Sequence, residues 1–407
     1  MNINTDIAKT YIFAGKKQTA VAGMGVLLGM AIYIFMNCLM LALDRSSTSV
    51  IFKNNAHIRV YKEDKMSKPL VNDSTAKYLI INPKVLPKSN TIINPNQVTE
   101  TILKNKNVTV VTPQVNSSVF YNNGKSQISG IAVGVKPAEA NAMYNINSTI
   151  VSGDFKSLTS NPNGIVIGVG ISTKMNLVVG NNLNLTSAKG VNRTFKVVGI
   201  FRSNVRTLDD SKSYINLASA QQLQKEGALY ITDITVNIKN PDDAKAVGDE
   251  ISQVTGYKAE SWQEANNSMV TGNKMRNIVG SLVSSLILLV AGFGIYNILN
   301  MTVSQKINDI AILKAMGFRG KDVVRIFVTQ ALAVGILGVI GGVLLATVLI
   351  SVLQHVYVGG DIGYFPIEFD GSRFLRGIFF GLIITFFAGY FPARKAAKVD
   401  PVEIFRK

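Results

Sequence analysis

The sequence predicts an α-helical membrane protein with four spans and a large mixed α and β domain between the first and the second. Three observations carry this. Four long, strongly apolar stretches contain no Asp, Glu, Lys or Arg. The segments that separate them alternate in lysine and arginine content. Residues 44–276, between the first stretch and the second, have an ordinary globular mixture of polar, charged and β-branched residues.

The uncharged stretches are residues 19–43, 277–305, 326–360 and 377–393. A hydrocarbon core about 30 Å thick needs about 20 helical residues, and the first three meet that length. The fourth is shorter, but Phe379, Phe380, Phe386 and Phe387 make it strongly apolar. Lys16 and Lys17 precede the first stretch as they would in a signal peptide. It is too long for such an apolar region and ends in no A-x-A site, so it reads as a retained anchor.

Orientation follows from the basic residues of the short segments. Residues 1–18 hold Lys9, Lys16 and Lys17 against Asp6. Residues 306–325 hold Lys306, Lys314, Arg319, Lys321 and Arg325 against Asp309 and Asp322. Residues 394–407 hold five basic residues against Asp400 and Glu403. Residues 361–376 are slightly acidic, with Arg373 and Arg376 against Asp361, Glu368 and Asp370. This sorting predicts both termini and 306–325 in the cytoplasm, with 44–276 and 361–376 outside. The short segments carry about +7 of the net charge of +17, and the rest lies in 44–276, a long segment that does not count toward orientation; no nucleic-acid partner is expected.

The large domain reads as α+β. Residues 57–61 (HIRVY) and 108–112 (VTVVT) are strand-like and flank a helical stretch, 97–104, with Asn96 as its cap. The pattern returns in 233–238 (DITVNI), a helix over 242–254 and a strand over 257–262. Two β-α-β units around an insertion predict a split, ferredoxin-like core. The insertion, about 113–224, reads as β-rich, with strands over 128–135, 164–168, 182–186 and 194–201 separated by Gly- and Asn-rich turns. Residues 62–96, with four prolines, read as a long irregular excursion.

Several chemistries find no footing. The lone cysteine, Cys38, lies inside an apolar stretch and the two histidines, His57 and His355, are far apart, so neither an internal disulfide nor a His/Cys metal cluster is expected. There is no G-x-x-x-x-G-K-[ST] loop, H-E-x-x-H, C-x-x-C or G-x-S-x-G. The acidic pairs Asp209-Asp210 and Asp242-Asp243 are each adjacent in sequence; the second, at a predicted helix start, is read as a solvated cap, and Trp262 as packing. No catalytic residue, cofactor site or metal site is predicted.

Two features remain. Gly25 and Gly29, Gly338 and Gly342, and Gly377 and Gly381 are G-x-x-x-G pairs within the spans, suited to close helix packing or a dimer seam. Between the second and third spans, Ile307, Ile310, Ile312, Leu313 and Met316 supply the apolar side of a short helix, and Lys306, Asp309 and Lys314 its polar side. Gly317 is expected to end that helix, and a second basic helix to lead into the third span.

The run 308–317 (NDIAILKAMG) resembles the REIGILKALG element of FtsX-like/MacB-type ABC permeases, with Asp309 in place of Glu and Ala311 in place of Gly. The run 392–403 (PARKAAKVDPVE) resembles that family's PARRAARLDPVEAL ending, and 111–113, 168–180, 195–201 (FKVVGIF) and 261–262 resemble its periplasmic core. The resemblance implies a non-catalytic permease subunit in the bacterial inner membrane, which transmits ATP-driven motion to a periplasmic domain (44–276) for the export or extraction of cargo. ATP hydrolysis would belong to a separate ABC ATPase subunit. Asp309, Ile312, Leu313, Lys314, Met316 and Gly317 would form the ATPase-coupling element. Implied partners are that ATPase, a second copy of the permease or a related one, and a periplasmic adaptor or lipoprotein carrier. The resemblance leaves three functions open: MacB-type efflux, LolC/LolE-like lipoprotein release, and FtsX-like regulation of cell-wall hydrolases.

Overall fold

The structure is a computed structural model that describes residues 3–63, 91–359 and 363–405. The expected irregular excursion over 62–96 lies largely outside the described residues. The chain forms two compact units, Met1–Ser47 with Thr271–Lys407, and Thr48–Val270.

The second unit is built on ten strands: β1 Ile58–Tyr61, β2 Val108–Asn123, β3 Ser126–Val135, β4 Ile150–Gly153, β5 Gly164–Gly168, β6 Asn182–Ser187, β7 Asn192–Phe201, β8 Lys212–Asn216, β9 Asp233–Ile238 and β10 Lys258–Ser261. One end of the sheet runs β10-β1-β9-β2, every pair antiparallel. Helices Pro95–Leu103 and Ala244–Thr255 connect β1 to β2 and β9 to β10. This is the ferredoxin-like order. The helices bury Ile102, Val247 and Ile251 in one cluster with Ile58, Val60 and Val236.

The insertion is more tightly joined to that core than a separate subdomain would be. β2 pairs with β9 from Val108 to Gln114, then takes β3 as its partner from Val115 onward. Beyond that point the pairs β2-β3, β3-β8, β8-β5, β5-β7, β7-β6 and β6-β2 close a six-stranded ring. A ring leaves these strands no free edge. Tyr121, Ile165, Leu185, Phe195 and Val197 from its strands share one core with β1 and β9. The opposite faces of several strands bury Val133, Val166, Val198 and Tyr214 with Phe155 and Leu158. Gly130 makes the ring possible, because a Cβ there would sit 2.1 Å from the Ser211 carbonyl oxygen.

Three local expectations need correction. The strand predicted over 108–112 does not stop at Pro113. Proline lacks a backbone donor, but at that point β2 has β9 as its only partner, and a strand edge tolerates the missing donor. The first helix begins at Pro95 with a left-handed Asn94 before it, so Asn96 lies inside the helix and is no cap. The second is preceded by a 3₁₀ turn, Pro241–Asp243, where Asn240 accepts the Asp242 N–H at 3.3 Å.

Among the described residues, the first unit contains the four helices long and apolar enough to cross a membrane: Lys16–Phe52, Asn267–Gln305, Gly320–Gln354 and Gly371–Ala397. The first and second of these extend into residues assigned to the other unit. A further helix, Ile3–Ala14, precedes them and lies along the third. No separate basic helix leads into the third span. Lys321 and Arg325 are its own first turns, with the Arg319 N–H held by Asp322 at 3.1 Å. Large apolar side chains, including Leu337, Leu344 and Phe379, cover the outside of the bundle, as lipid contact requires.

Candidate functional site

The bundle is packed through glycines. A Cβ at Gly29 would lie 2.7 Å from the Ala291 Cβ of the second span. At Gly338 it would lie 2.7 Å from the Val26 Cβ, at Gly342 2.6 Å from the Met30 Cβ, and at Gly377 2.8 Å from Ile34 Cγ1. Gly381 lies against the Met30 sulfur. Met30, fully buried, is thus the point where the first, third and fourth spans meet. Gly25 is different: among the described residues nothing lies within 4 Å of its Cβ position. Gly292, Gly335 and Gly389, outside any G-x-x-x-G pair, are packed as closely against Ile384, Thr385 and Ala331.

The segment between the second and third spans forms a helix, Ile307–Ala315. Lys306 interrupts the span before it, and Asp309 stands in its first turn. It ends in a Schellman arrangement: Gly317 is left-handed, its N–H reaches the Lys314 carbonyl and the Phe318 N–H the Leu313 carbonyl, both at 3.1 Å. The single apolar side expected from the sequence is divided in two. Ile310 and Ala311 are buried against the bundle, whereas Ile312 and Met316 are exposed, at 46% and 64%.

Asp309, Ile312, Leu313 and Met316 share an open groove of about 420 Å³. Its other wall is the helix Ile3–Ala14, through Asp6, Ile7, Thr10 and Tyr11. Lys306 holds the Asp309 carboxylate at 3.0 Å and its ammonium lies 5.7 Å from the Tyr11 ring. Burial, helped by the Asp309 charge, raises the Tyr11 hydroxyl above the usual tyrosine range. The groove therefore presents an apolar floor with one acidic residue on each wall, Asp309 and Asp6.

Lys314 does not join this face. Its ammonium donates to the carbonyls of Ala397 and Val399, at 3.1 and 2.5 Å, and so caps the end of the fourth span. The short helix Pro401–Phe405 packs beside it. The sequence reading also missed the groove's second wall. The signal was present in Ile7, Ala8, Tyr11 and Ile12, which have helical spacing after the acidic residue Asp6.

Elsewhere, the polar groups are structural. Asp209 accepts the Ser203 N–H at 2.7 Å, and Asp210 pairs with Lys174 at 2.9 Å. Trp262 donates its ring N–H to the Pro241 carbonyl at 2.8 Å and meets the edge of Phe52. Among the described residues no group of three His, Cys, Asp or Glu side chains is placed to hold a metal.

A chain with four apolar helices, a ferredoxin-like core interrupted by a strand ring, and a short exposed helix between its second and third spans is of the ABC permease class. Residues 19–254 match the MacB-like periplasmic core domain family, more than half of the chain, and residues 281–401 match the FtsX-like permease C-terminal family. The chain belongs to the FtsX-like/MacB-type family of ABC transporter permeases. It is 27% identical over 226 residues to an uncharacterized ABC transporter permease of Methanocaldococcus jannaschii, covering 53% of this chain and 55% of that one. It is 25% identical over 331 residues to the lipoprotein-releasing system transmembrane protein LolC of Neisseria meningitidis serogroup B, covering 74% and 79%. It is 35% identical over 120 residues to the macrolide export ATP-binding/permease protein MacB of Bradyrhizobium diazoefficiens, covering 30% and 18%. The chain thus spans about half the length of the archaeal relative. The periplasmic region of MacB from Actinobacillus actinomycetemcomitans superposes with a TM-score of 0.35 at 13% identity, over 54% of this chain and 94% of that one; the fold assignment rests instead on the strand order.

Proposed function

We propose that this chain is the non-catalytic permease subunit of an ABC transporter in a bacterial inner membrane. In this reading both termini and 306–325 are cytoplasmic. A separate ABC ATPase docks on the groove beside the helix Ile307–Ala315, and a second permease, identical or related, completes the machine. The observation that carries it is the exposure of Ile312 and Met316 in a groove edged by Asp309, on a helix whose other face is anchored in the bundle by Ile310 and Ala311. A helix lying only among lipid headgroups would need no such division. The apolar anchors supply affinity, while the Asp309 charge supplies orientation and specificity. Lys314 transmits the stroke, tying the helix to the last turn of the fourth span through two carbonyls.

For cargo we infer export of the MacB type. Lipoprotein release is the second reading, favoured by the breadth of the match to LolC, which covers 74% of this chain. Both use the same coupling element. The test is recovery of the ATPase on the tagged permease. Leu313→Asp, which puts a charge into the groove, should lower recovery to below about a tenth. Asp309→Ala should retain partial assembly with weakened transport. Undiminished recovery with Leu313→Asp would end the coupling-helix reading.

A further inference from the structure

A second cavity, of about 500 Å³, lies at the same end of the bundle as the helix Ile307–Ala315 and adjoins the groove at Tyr11, which lines both. Its walls come from the end of the helix Ile3–Ala14, the starts of the first and third spans and the end of the second. Lys16, Lys17 and Lys306 line it, with Thr302 and Gln305, and no acidic residue is among its described lining residues. Lys306 is already paired with Asp309. Lys16 and Lys17 are exposed and make no ion pair among the described residues. The Lys16 ammonium lies 5.9 Å from the Phe13 ring. Gln330, also in the lining, is only 4% exposed, and its Oε1 is buried with no hydrogen-bond donor.

A buried amide oxygen without a donor costs free energy unless a ligand or water satisfies it. The Lys16 and Lys17 ammonium groups, which make no ion pair among the described residues and line the same cavity, can hold an anion. A ligand that meets both demands has a negatively charged phosphate and, a few atoms away, a hydroxyl donor. The cavity stands where helices begin and end, which is headgroup depth whichever way the chain crosses the membrane. Phe13, 58% exposed beside it, supplies an apolar surface of the kind acyl chains cover.

We propose that this cavity binds the headgroup of an anionic glycerophospholipid of the phosphatidylglycerol type: Lys16 and Lys17 hold the phosphate, and Gln330 Oε1 accepts from a glycerol hydroxyl. The site needs neither the ATPase nor the proposed orientation, so it stands or falls apart from the coupling reading.

The test uses the full chain, purified in detergent and stripped of lipid, and titrated with short-chain phosphatidylglycerol, short-chain phosphatidylcholine and glycerol 3-phosphate. Binding is read by native mass spectrometry and by the shift in melting temperature. Phosphatidylglycerol should bind saturably and raise the melting temperature; the other two should bind at least about tenfold more weakly. Lys16→Gln with Lys17→Gln should weaken phosphatidylglycerol about tenfold or more, since each basic group near a lipid surface contributes strongly. These lysines are exposed, so the lipid-free melting temperature should not move. Gln330→Leu should also weaken binding several-fold while leaving the lipid-free protein as stable or more stable, because the unsatisfied oxygen is gone. Equal binding of phosphatidylcholine would overturn the proposal. So would full affinity in the double lysine variant. Glycerol 3-phosphate binding as tightly as the lipid would replace the lipid assignment with a soluble phosphate ligand.

Discussion

The two units of this chain use glycine for opposite purposes. In the membrane unit, Gly29, Gly338, Gly342 and Gly377 let helices approach until a Cβ would collide with the neighbour. Between helices in lipid there is no hydrophobic effect to exploit, so van der Waals contact at short range must hold them together. In the β-rich unit, Gly130 sits against the Ser211 carbonyl to let a strand ring close, around a core of large aliphatic and aromatic side chains whose burial drives folding. The first unit is limited by how closely backbones can approach, and the second by how much apolar surface it buries. The same substitution should therefore disrupt a helix contact in one unit and the strand ring in the other.

Gly342→Val and Gly130→Val are the sharpest tests. The first drives a branched side chain into the Met30 Cβ and the Leu27 carbonyl, at 2.6 and 2.8 Å from the Cβ position. The second drives one into the Ser211 carbonyl. Each should cost about 3 kcal/mol or more, the upper range for overpacking. Trp262, the one tryptophan, lies in the β-rich unit, so its fluorescence reports that unit while helical circular dichroism is dominated by the spans. Gly130→Val should lower the fluorescence transition, and Gly342→Val the helical one. Coincident shifts in both variants would show that the two units melt as one.

A smaller effect is expected at Asp233, which is almost fully buried on β9. It accepts from Arg59, from Asn116 at 2.7 Å and from Thr232 at 2.6 Å. Removing the carboxylate leaves the Asn116 donor without this acceptor and Thr232 with only the Gln114 carbonyl at 3.3 Å, while the half-exposed Arg59 can turn to water. Asp233→Ala should lower the stability of the β-rich unit by about 2 kcal/mol, read as an earlier fluorescence transition. An unchanged transition would mean that aliphatic burial alone sets this unit's stability.

The smallest expected effect is at His57. Burial lowers its pKa below the usual 6.5, and its Nδ1 accepts the Ile238 N–H at 3.1 Å, which only a neutral ring can do there. The folded state resists protonation while the unfolded state does not. Stability is therefore fully present above pH 6.5 and is lost as pH falls from there towards the folded value, by at most about 1.4 kcal/mol per pH unit. Denaturant titration of the β-rich unit, followed by Trp262 fluorescence, should show this slope in the parent chain and a shallower one in His57→Gln.

The spans were legible because absence of charge over about 20 residues has few other causes in a folded chain. Strands such as 164–168 and 233–238 were legible because β-branched runs between turns announce themselves locally. The continuation of β2 through Pro113 was not, because a proline's tolerance depends on which strand lies beside it. At the coupling helix, the ending at Gly317 follows from a left-handed residue that glycine adopts most readily. The destination of Lys314 does not, because a lysine at that spacing fits a solvated face and a helix cap equally well until the fourth span is in place.

The amino-acid sequence by itself determined the number of spans, the α+β character of the domain between the first two, and the family, through NDIAILKAMG and PARKAAKVDPVE. These depend on hydropathy, propensity and local chemistry, which are properties of consecutive residues. Only the tertiary structure decided that six strands close into a ring, that Gly25 has nothing among the described residues within 4 Å of its Cβ position while Gly335 packs tightly, that the helix Ile3–Ala14 walls a groove, and that Gln330, with a buried oxygen lacking a donor, lines one cavity with Lys16 and Lys17. Each of these is a distance between residues remote in sequence, and such distances follow from the simultaneous packing of the elements rather than from any one of them.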